Sequence, residues 1–158
     1  NTLSFVKSGD GVNSLDEVVD TQEVSQKLVY ATVTYTNPSD EEIDHMLYIG
    51  SLMLLDQEND SYTVIAPNER SGDGYDRIIW DGAAGTAEMK YSDVTDFSQG
   101  NGGNYIPSLK PGESIQVHMA WIVNEPDLAN MYLNLNGDGA AYDFSDAIKT
   151  TGLTDIRQ

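Results

Sequence analysis

The chain has no cysteine, few basic residues and no long hydrophobic run, and each absence excludes a class of protein or site. Without cysteine there is no disulfide, no thiolate nucleophile and no thiolate metal site. No apolar stretch approaches the roughly 20 residues that a membrane-spanning helix needs. No long amphipathic helix is visible either, so a parallel α/β fold with crossover helices is not expected.

Acidic residues outnumber basic ones by a wide margin. Among 158 residues there are 26 acidic and eight basic side chains, which gives a formal net charge of −18. The basic residues are scattered along the chain, whereas binding to a phosphate backbone requires clustered Lys and Arg. Nucleic acid and anionic membrane surfaces are therefore not expected as partners. The acidity is typical of solubility through self-repulsion, and a specific cation-binding role is the alternative.

Composition also bears on where the protein works. A cysteine-free, acidic chain rich in Asn, Asp, Gly and Tyr is typical of a secreted or cell-surface bacterial domain. Because the sequence begins at Asn1 and not at Met, we expect a processed product whose targeting segment precedes it. The predicted location is therefore extracellular or at the cell surface of a bacterium.

Two segments, 28–36 and 114–123, alternate in side-chain character with a period of two. In each, the odd-numbered residues form a mostly apolar face, rich in β-branched and aromatic side chains in the first segment. Turn residues follow the first segment (Asn37-Pro38) and precede the second (Pro111-Gly112). Both are predicted to be strands with one buried face.

Shorter strands are predicted at 3–7, 43–49, 52–55, 62–66, 105–109 and 131–135. Gly50-Ser51 predicts a bulge or a bend before the third of these. Residues 12–26 fit either one helical turn or an irregular edge strand, and the spacing of their few apolar residues does not decide between them.

The predicted fold is all-β: a single domain over 1–158, built as a two-sheet antiparallel sandwich. Segment 67–104 is predicted to be a long loop insertion, because it contains half of the 14 glycines and breaks the strand rhythm.

Three stretches resemble immunoglobulin-like domains of bacterial surface lipoproteins, similar to the mycobacterial secreted immunoprotective-antigen fold group. They are KLVYATVTYTNPSDEE (27–42), LKPGESIQVHMAWIV (109–123), and Glu125-Pro126 leading to the strand at 131–135. The resemblance implies an immunoglobulin-like sandwich, export, and a lipid-anchored cysteine ahead of residue 1. It carries over no catalytic residue, because activity is unknown for most members.

Metal-binding candidates are few. His45 and His118 are the only histidines, and zinc requires three or four ligands. Calcium prefers oxygen ligands, and Asp138 and Asp143 beside Asn136-Gly137 are the candidates for it. Their spacing does not follow the EF-hand pattern, and turns rich in Asn, Asp and Gly have the same composition for conformational reasons. No cofactor is predicted otherwise.

An enzyme is not favoured, because the chain contains no G-x-S-x-G nucleophile motif. A glycosidase would need two carboxylates about 5–9 Å apart across a cleft, which 26 acidic residues do not specify.

A non-enzymatic binding or adhesion module is the leading interpretation. Tyrosine together with Asn, Asp and Gly is the composition of adaptable binding surfaces. We predict that Tyr75, Arg77, Trp80 and Tyr91 bind a protein or a glycan at the cell surface. The alternative for these aromatic residues is that they cover the ends of the sandwich. The alternatives for function are a structural spacer or assembly module of an envelope complex, and a hydrolase of unassigned chemistry.

Overall fold

The computed structural model of the protein describes residues 1–58, 61–65, 71–80, 89–95, 103–135 and 153–158. Its regular structure is almost wholly β, which confirms the all-β prediction, and the strand pairs described are antiparallel. The strands are β1 (Thr2–Lys7), β2 (Glu17–Glu23), β3 (Gln26–Thr36), β4 (Met46–Leu47), β5 (Ser51–Glu58), β6 (Ser61–Val64), β7 (Arg77–Trp80), β8 (Met89–Ser92), β9 (Tyr105–Ile106), β10 (Ser114–Asn124), β11 (Met131–Asn134) and β12 (Leu153–Asp155). A 3₁₀ helix over Glu125–Asn130 joins β10 to β11. Within the described ranges, no helix is both long and hydrophobic enough to cross a bilayer.

The described strands form four sheets. Their orders are β2-β1-β7, β3-β10-β8, β12-β11-β5-β6 and β4-β9. The long pair β3–β10 runs in continuous register from Gln26 opposite Asn124 to Thr36 opposite Ser114. Val117, Met119 and Trp121 are fully buried on one face of β10, as the alternation predicts.

The main core lies between two of these sheets. One hydrophobic cluster combines the inner face of β10 with Leu52 and Leu54 of β5 and with Met131 and Leu133 of β11. The odd-numbered residues of β3 from Val29 to Tyr35 pack against the same cluster. The β3-β10-β8 sheet therefore presents one face to the core and the other to solvent.

Strand β11 differs from the alternation predicted for it. Tyr132 and Asn134 are buried as well as Met131 and Leu133. Tyr132 belongs to a second cluster with Met53 and Leu55. The sheet that contains β5 and β11 is thus buried on both faces at these strands, so they lack a solvent-exposed face with polar residues.

Three predicted segments take a more specific form in the structure. Of the two alternatives for 12–26, the structure has an edge strand, β2, whose residues are all exposed. The predicted strand at 43–49 is reduced to β4, because His45 has a φ of 52°, which interrupts extended backbone. Segment 67–104, predicted as a loop insertion, contributes two short strands, β7 beside β1 and β8 beside β10.

Asn37 joins the end of β3 to the turn that precedes β10, although it is polar and fully buried. Its side-chain amide donates hydrogen bonds to the carbonyls of Glu41 (2.8 Å) and Leu109 (2.9 Å). Its side-chain oxygen accepts from the backbone N–H (3.0 Å) and the hydroxyl (2.7 Å) of Ser39. Its backbone exchanges hydrogen bonds with Gly112 and Glu113. We call this arrangement the Asn37 junction.

Candidate binding surface

Two of the predicted site residues, Tyr75 and Arg77, lie at the edge of the β2-β1-β7 sheet and make internal contacts. The ring of Tyr75 packs edge-on against Phe5, with centroids 4.9 Å apart. The guanidinium of Arg77 pairs with the carboxylate of Asp16. A hydrogen bond from the Gly9 N–H, and then Arg77, hold the pKa of Asp16 below its usual range. These contacts attach the loop that follows β1 to β7.

The other two predicted residues lie on different sheets. Trp80 ends β7, where its backbone pairs with Leu3. Tyr91 lies on β8 in the β3-β10-β8 sheet, and its side chain is 52% exposed. Arg77 and Trp80 therefore belong to one sheet, Tyr75 lies just before it, and Tyr91 belongs to another sheet. Binding by these residues stays a prediction.

The predicted calcium candidates Asp138 and Asp143 lie outside the described residues. In the described part of the chain, no three His, Asp or Glu side chains are grouped so as to hold a metal ion. The two histidines are far apart in the topology, with His45 next to β4 and His118 on β10.

A row of two tyrosines crosses the outer face of the β3-β10-β8 sheet. Tyr30 on β3 and Tyr91 on β8 both pair with Ala120 on the central strand β10. Because adjacent strands are about 4.8 Å apart, the two tyrosines start about 10 Å from each other. Tyr30 is 59% and Tyr91 is 52% exposed, whereas Ala120 is only 6% exposed between these larger neighbours. The row thus has an aromatic ring on either side of a small residue.

Aliphatic side chains extend this row along the sheet. Leu28 and Ile122 form the next outward-facing cross-strand pair, and they are 67% and 47% exposed. Together with Tyr30 and Tyr91 they surround Ala120. We call these four side chains the outer-face patch. Scattered exposed apolar residues are ordinary on protein surfaces, whereas large contiguous apolar patches are typical of interaction sites. The outer-face patch is therefore the candidate binding surface.

A fixed polar pair borders the outer-face patch. The carboxylate of Asp93 accepts hydrogen bonds from the backbone N–H of His118 (2.8 Å) and contacts its ring Nδ1 (2.6 Å). These contacts, the backbone one first, hold the pKa of Asp93 below its usual range. The imidazole in turn stacks on Tyr30, with centroids 5.9 Å apart and planes at 21°. The Asp93–His118 pair therefore holds a polar ring in place beside the exposed tyrosine.

This surface combines ring faces, aliphatic area and oriented hydrogen-bonding groups, which suits binding by stacking. Sequence reasoning identified Tyr91 but missed Tyr30 and Asp93, and it considered His118 only as a metal ligand. The alternation does place Tyr30 and His118 on the outward faces of their strands. That they meet depends on the pairing register, which the sequence does not display.

Comparison of the chain with protein-family models, with curated proteins and with solved structures finds no match in any of the three.

Proposed function

We propose that this protein is a non-enzymatic binding module that holds its ligand on the outer-face patch. The observation that supports this most strongly is the row formed by Tyr30, Ala120 and Tyr91, with both rings more than half exposed. Exposing this much contiguous apolar area to water is unfavourable at about 25 cal/mol per Å², and a ligand that covers it recovers that free energy.

We propose an immunoglobulin-like sandwich as the scaffold, exported and displayed at a bacterial cell surface with a lipid anchor ahead of residue 1. The antiparallel pairing and the core shared by the β3-β10-β8 and β12-β11-β5-β6 sheets support the sandwich. A rigid sheet that presents side chains outward suits a binding site better than a loop, because the ring positions are fixed before the ligand arrives.

The proposed ligand is a glycan without negative charge. Two tyrosine rings on either side of Ala120 can each stack against the apolar face of one sugar ring. The Asp93–His118 pair offers hydrogen-bonding groups beside them. With a net charge of −18, the protein repels polyanionic glycans, which leaves neutral or basic sugars. A protein ligand that inserts apolar side chains is the second candidate, and Leu28 and Ile122 favour it.

The test is a glycan array probed with the wild-type protein, Tyr30→Ala, Tyr91→Ala and Tyr30→Phe. We expect each alanine variant to weaken binding by about tenfold or more, because each removes one stacked ring worth about 0.5–1.5 kcal/mol beyond its buried area. Tyr30→Phe keeps the ring and should retain most of the affinity.

Tyr75→Ala is the matched control, because Tyr75 lies away from the outer-face patch, just before β7, with its ring against Phe5 of β1. If Tyr75→Ala abolishes binding and the outer-face variants do not, the site lies on the β2-β1-β7 sheet and the outer-face proposal is wrong. The binding function is wrong if no sugar on the array binds and if mutating Tyr30 and Tyr91 abolishes binding of no protein ligand. The structural spacer is then the better interpretation.

A further inference from the structure

Among the strands that the structure describes, β3 lies at the edge of its sheet, and a full row of its backbone groups faces away from that sheet. Among the described strands only β10 pairs with it. The residues just beyond both ends of the ladder make hydrogen bonds across it, Ser25 with Glu125 and Asn37 with Glu113. Since the register is unbroken between these pairs, the odd-numbered residues of β3 bond to β10. The even-numbered residues, from Leu28 to Thr34, therefore direct N–H and C=O groups away from the sheet.

Nothing in β3 itself protects this edge. Natural edge strands are usually blunted by proline, a bulge, an inward charge or shortness. Strand β3 has 11 residues, no proline and no register shift. Its one charged residue, Lys27, stands near its end and is paired with Glu125 at 3.2 Å. The strand is therefore a long and nearly neutral template for another strand.

In the part of the chain that the structure describes, the core is also open along the same edge. The inward-facing residues of β3 remain partly exposed along its length, while Val117, Met119 and Trp121 of β10 are fully buried. A cavity of about 630 Å³ lies beside Val29 and Ala31. Its far wall includes Leu128, Leu133 and Ile156, and these are apolar side chains of the main core or packed against it.

We propose that β3 binds an extended cationic segment of another protein by strand addition. The segment's backbone pairs with the even-numbered residues of β3. Its alternate side chains enter the cavity, and its remaining side chains lie on the outer face with its lysines and arginines toward solvent. This site adjoins the outer-face patch, since Leu28 and Tyr30 also line the cavity. It is a second site because it uses the backbone edge of β3 and does not depend on the patch holding a glycan.

Charge decides between a foreign segment and a second copy of this chain. Two copies joined along β3 would bring together two bodies of net charge −18 each. Strand β3 adds no charge that would offset this repulsion, because Lys27 is already paired. A segment rich in Lys and Arg is attracted by the same field that keeps the copies apart.

The first experiment uses the full chain and a capped peptide of alternating valine and lysine. We expect saturable binding that weakens at high salt, and at least about tenfold weaker binding when glutamate replaces lysine. Amide hydrogen exchange provides the decisive signature. Protection should rise at Leu28, Tyr30 and Thr32 and stay unchanged at Val29 and Ala31, whose N–H groups already bond to β10.

Two variants test the backbone edge and the cavity separately. Thr32→Pro removes an N–H that faces solvent and leaves the β3–β10 ladder intact, so binding should fall about tenfold or more. Thr32→Val is its control, since it keeps that N–H. Ala31→Phe puts a bulky ring into the cavity beside the edge and keeps all the edge N–H groups. It should block the peptide without preventing folding, which the thermal transition will show.

Two outcomes overturn the proposal. Uniform or absent exchange protection with the lysine peptide would show that the edge does not accept a strand. The second is a dimer, seen by light scattering at physiological salt, that forms in preference to the peptide complex. If Thr32→Pro abolishes that dimer, the edge binds a second copy of the chain.

Discussion

Replacing Asn37 by alanine should destabilise the protein more than any other change of a single polar side chain described here. The substitution removes all four side-chain hydrogen bonds of the Asn37 junction. The carbonyl of Leu109 keeps its hydrogen bond from the Ile43 N–H (3.0 Å) but loses the one from Asn37 in a buried place, which costs about 0.5–1.5 kcal/mol. Ser39 and Glu41 are exposed, so water replaces their lost bonds, and their combined cost is smaller.

Together these losses amount to about 2 kcal/mol. At about 2–4 °C per kcal/mol for a chain of this size, the thermal midpoint should fall by about 4–8 °C. Urea unfolding should show the same loss as a lower midpoint with an unchanged slope, because the substitution changes stability and not the surface exposed on unfolding.

Two further variants test the reasoning behind this magnitude. Ser39→Ala removes only the hydroxyl that bonds to Asn37 and to the Glu41 carbonyl, at an exposed position, so it should cost about 1 kcal/mol. Asn37→Asp keeps the shape but turns a carboxylate toward two carbonyl oxygens, so at neutral pH it should be worse than alanine. If Asn37→Ala unfolds within about 1 kcal/mol of the wild type, the junction does not stabilise the fold as argued.

Two smaller predictions follow from close packing and from a charged loop. Gly50→Ala should lower the free energy of unfolding by about 1–3 kcal/mol in urea titrations. Its new Cβ would lie 2.6 Å from the sulfur of Met119 and 3.1 Å from the ring of Trp121, and both side chains are fully buried. An unchanged midpoint would contradict this. Asp10 accepts hydrogen bonds from three backbone N–H groups that follow it, which hold its pKa well below the usual range. A lowered pKa gives stability that is complete above about pH 4 and is lost as the pH falls. Asp10→Asn should therefore lower the thermal midpoint at pH 7, and the gap to wild type should narrow in acid.

The strand pair β3–β10 could be predicted from the sequence because a single physical rule governs it. Each strand has one buried face and one solvent-exposed face, so apolar and polar residues alternate with a period of two along its sequence. Strand β11 breaks the rule, since a strand buried on both faces leaves no alternation to read. The strand predicted at 43–49 failed at His45, where positive φ in a residue other than glycine has no clear sequence signal.

The candidate site could be predicted only in part, because it depends on which residues are opposite one another. Period two places Tyr30 on the outward face of β3, but a shift of the register by two residues would separate it from Tyr91 and keep the same pattern. The pairing of His118 with Asp93 likewise requires that β8 lie beside β10. The residue types thus indicated a tyrosine-rich surface, but which residues form it depends on the strand order and the pairing register.

The negative charge of the chain affects which strands can pair with the open edge of β3. An unprotected strand of this length would ordinarily promote association between copies. A proline or a bulge within β3 would prevent such association, but it would also prevent a strand of any other protein from pairing there. Repulsion between bodies of net charge −18 acts against copies of the same chain and leaves the edge geometry intact. Because salt shortens the Debye length to about 3 Å at 1 M, that protection should weaken in concentrated salt, where association along β3 becomes the competing reaction.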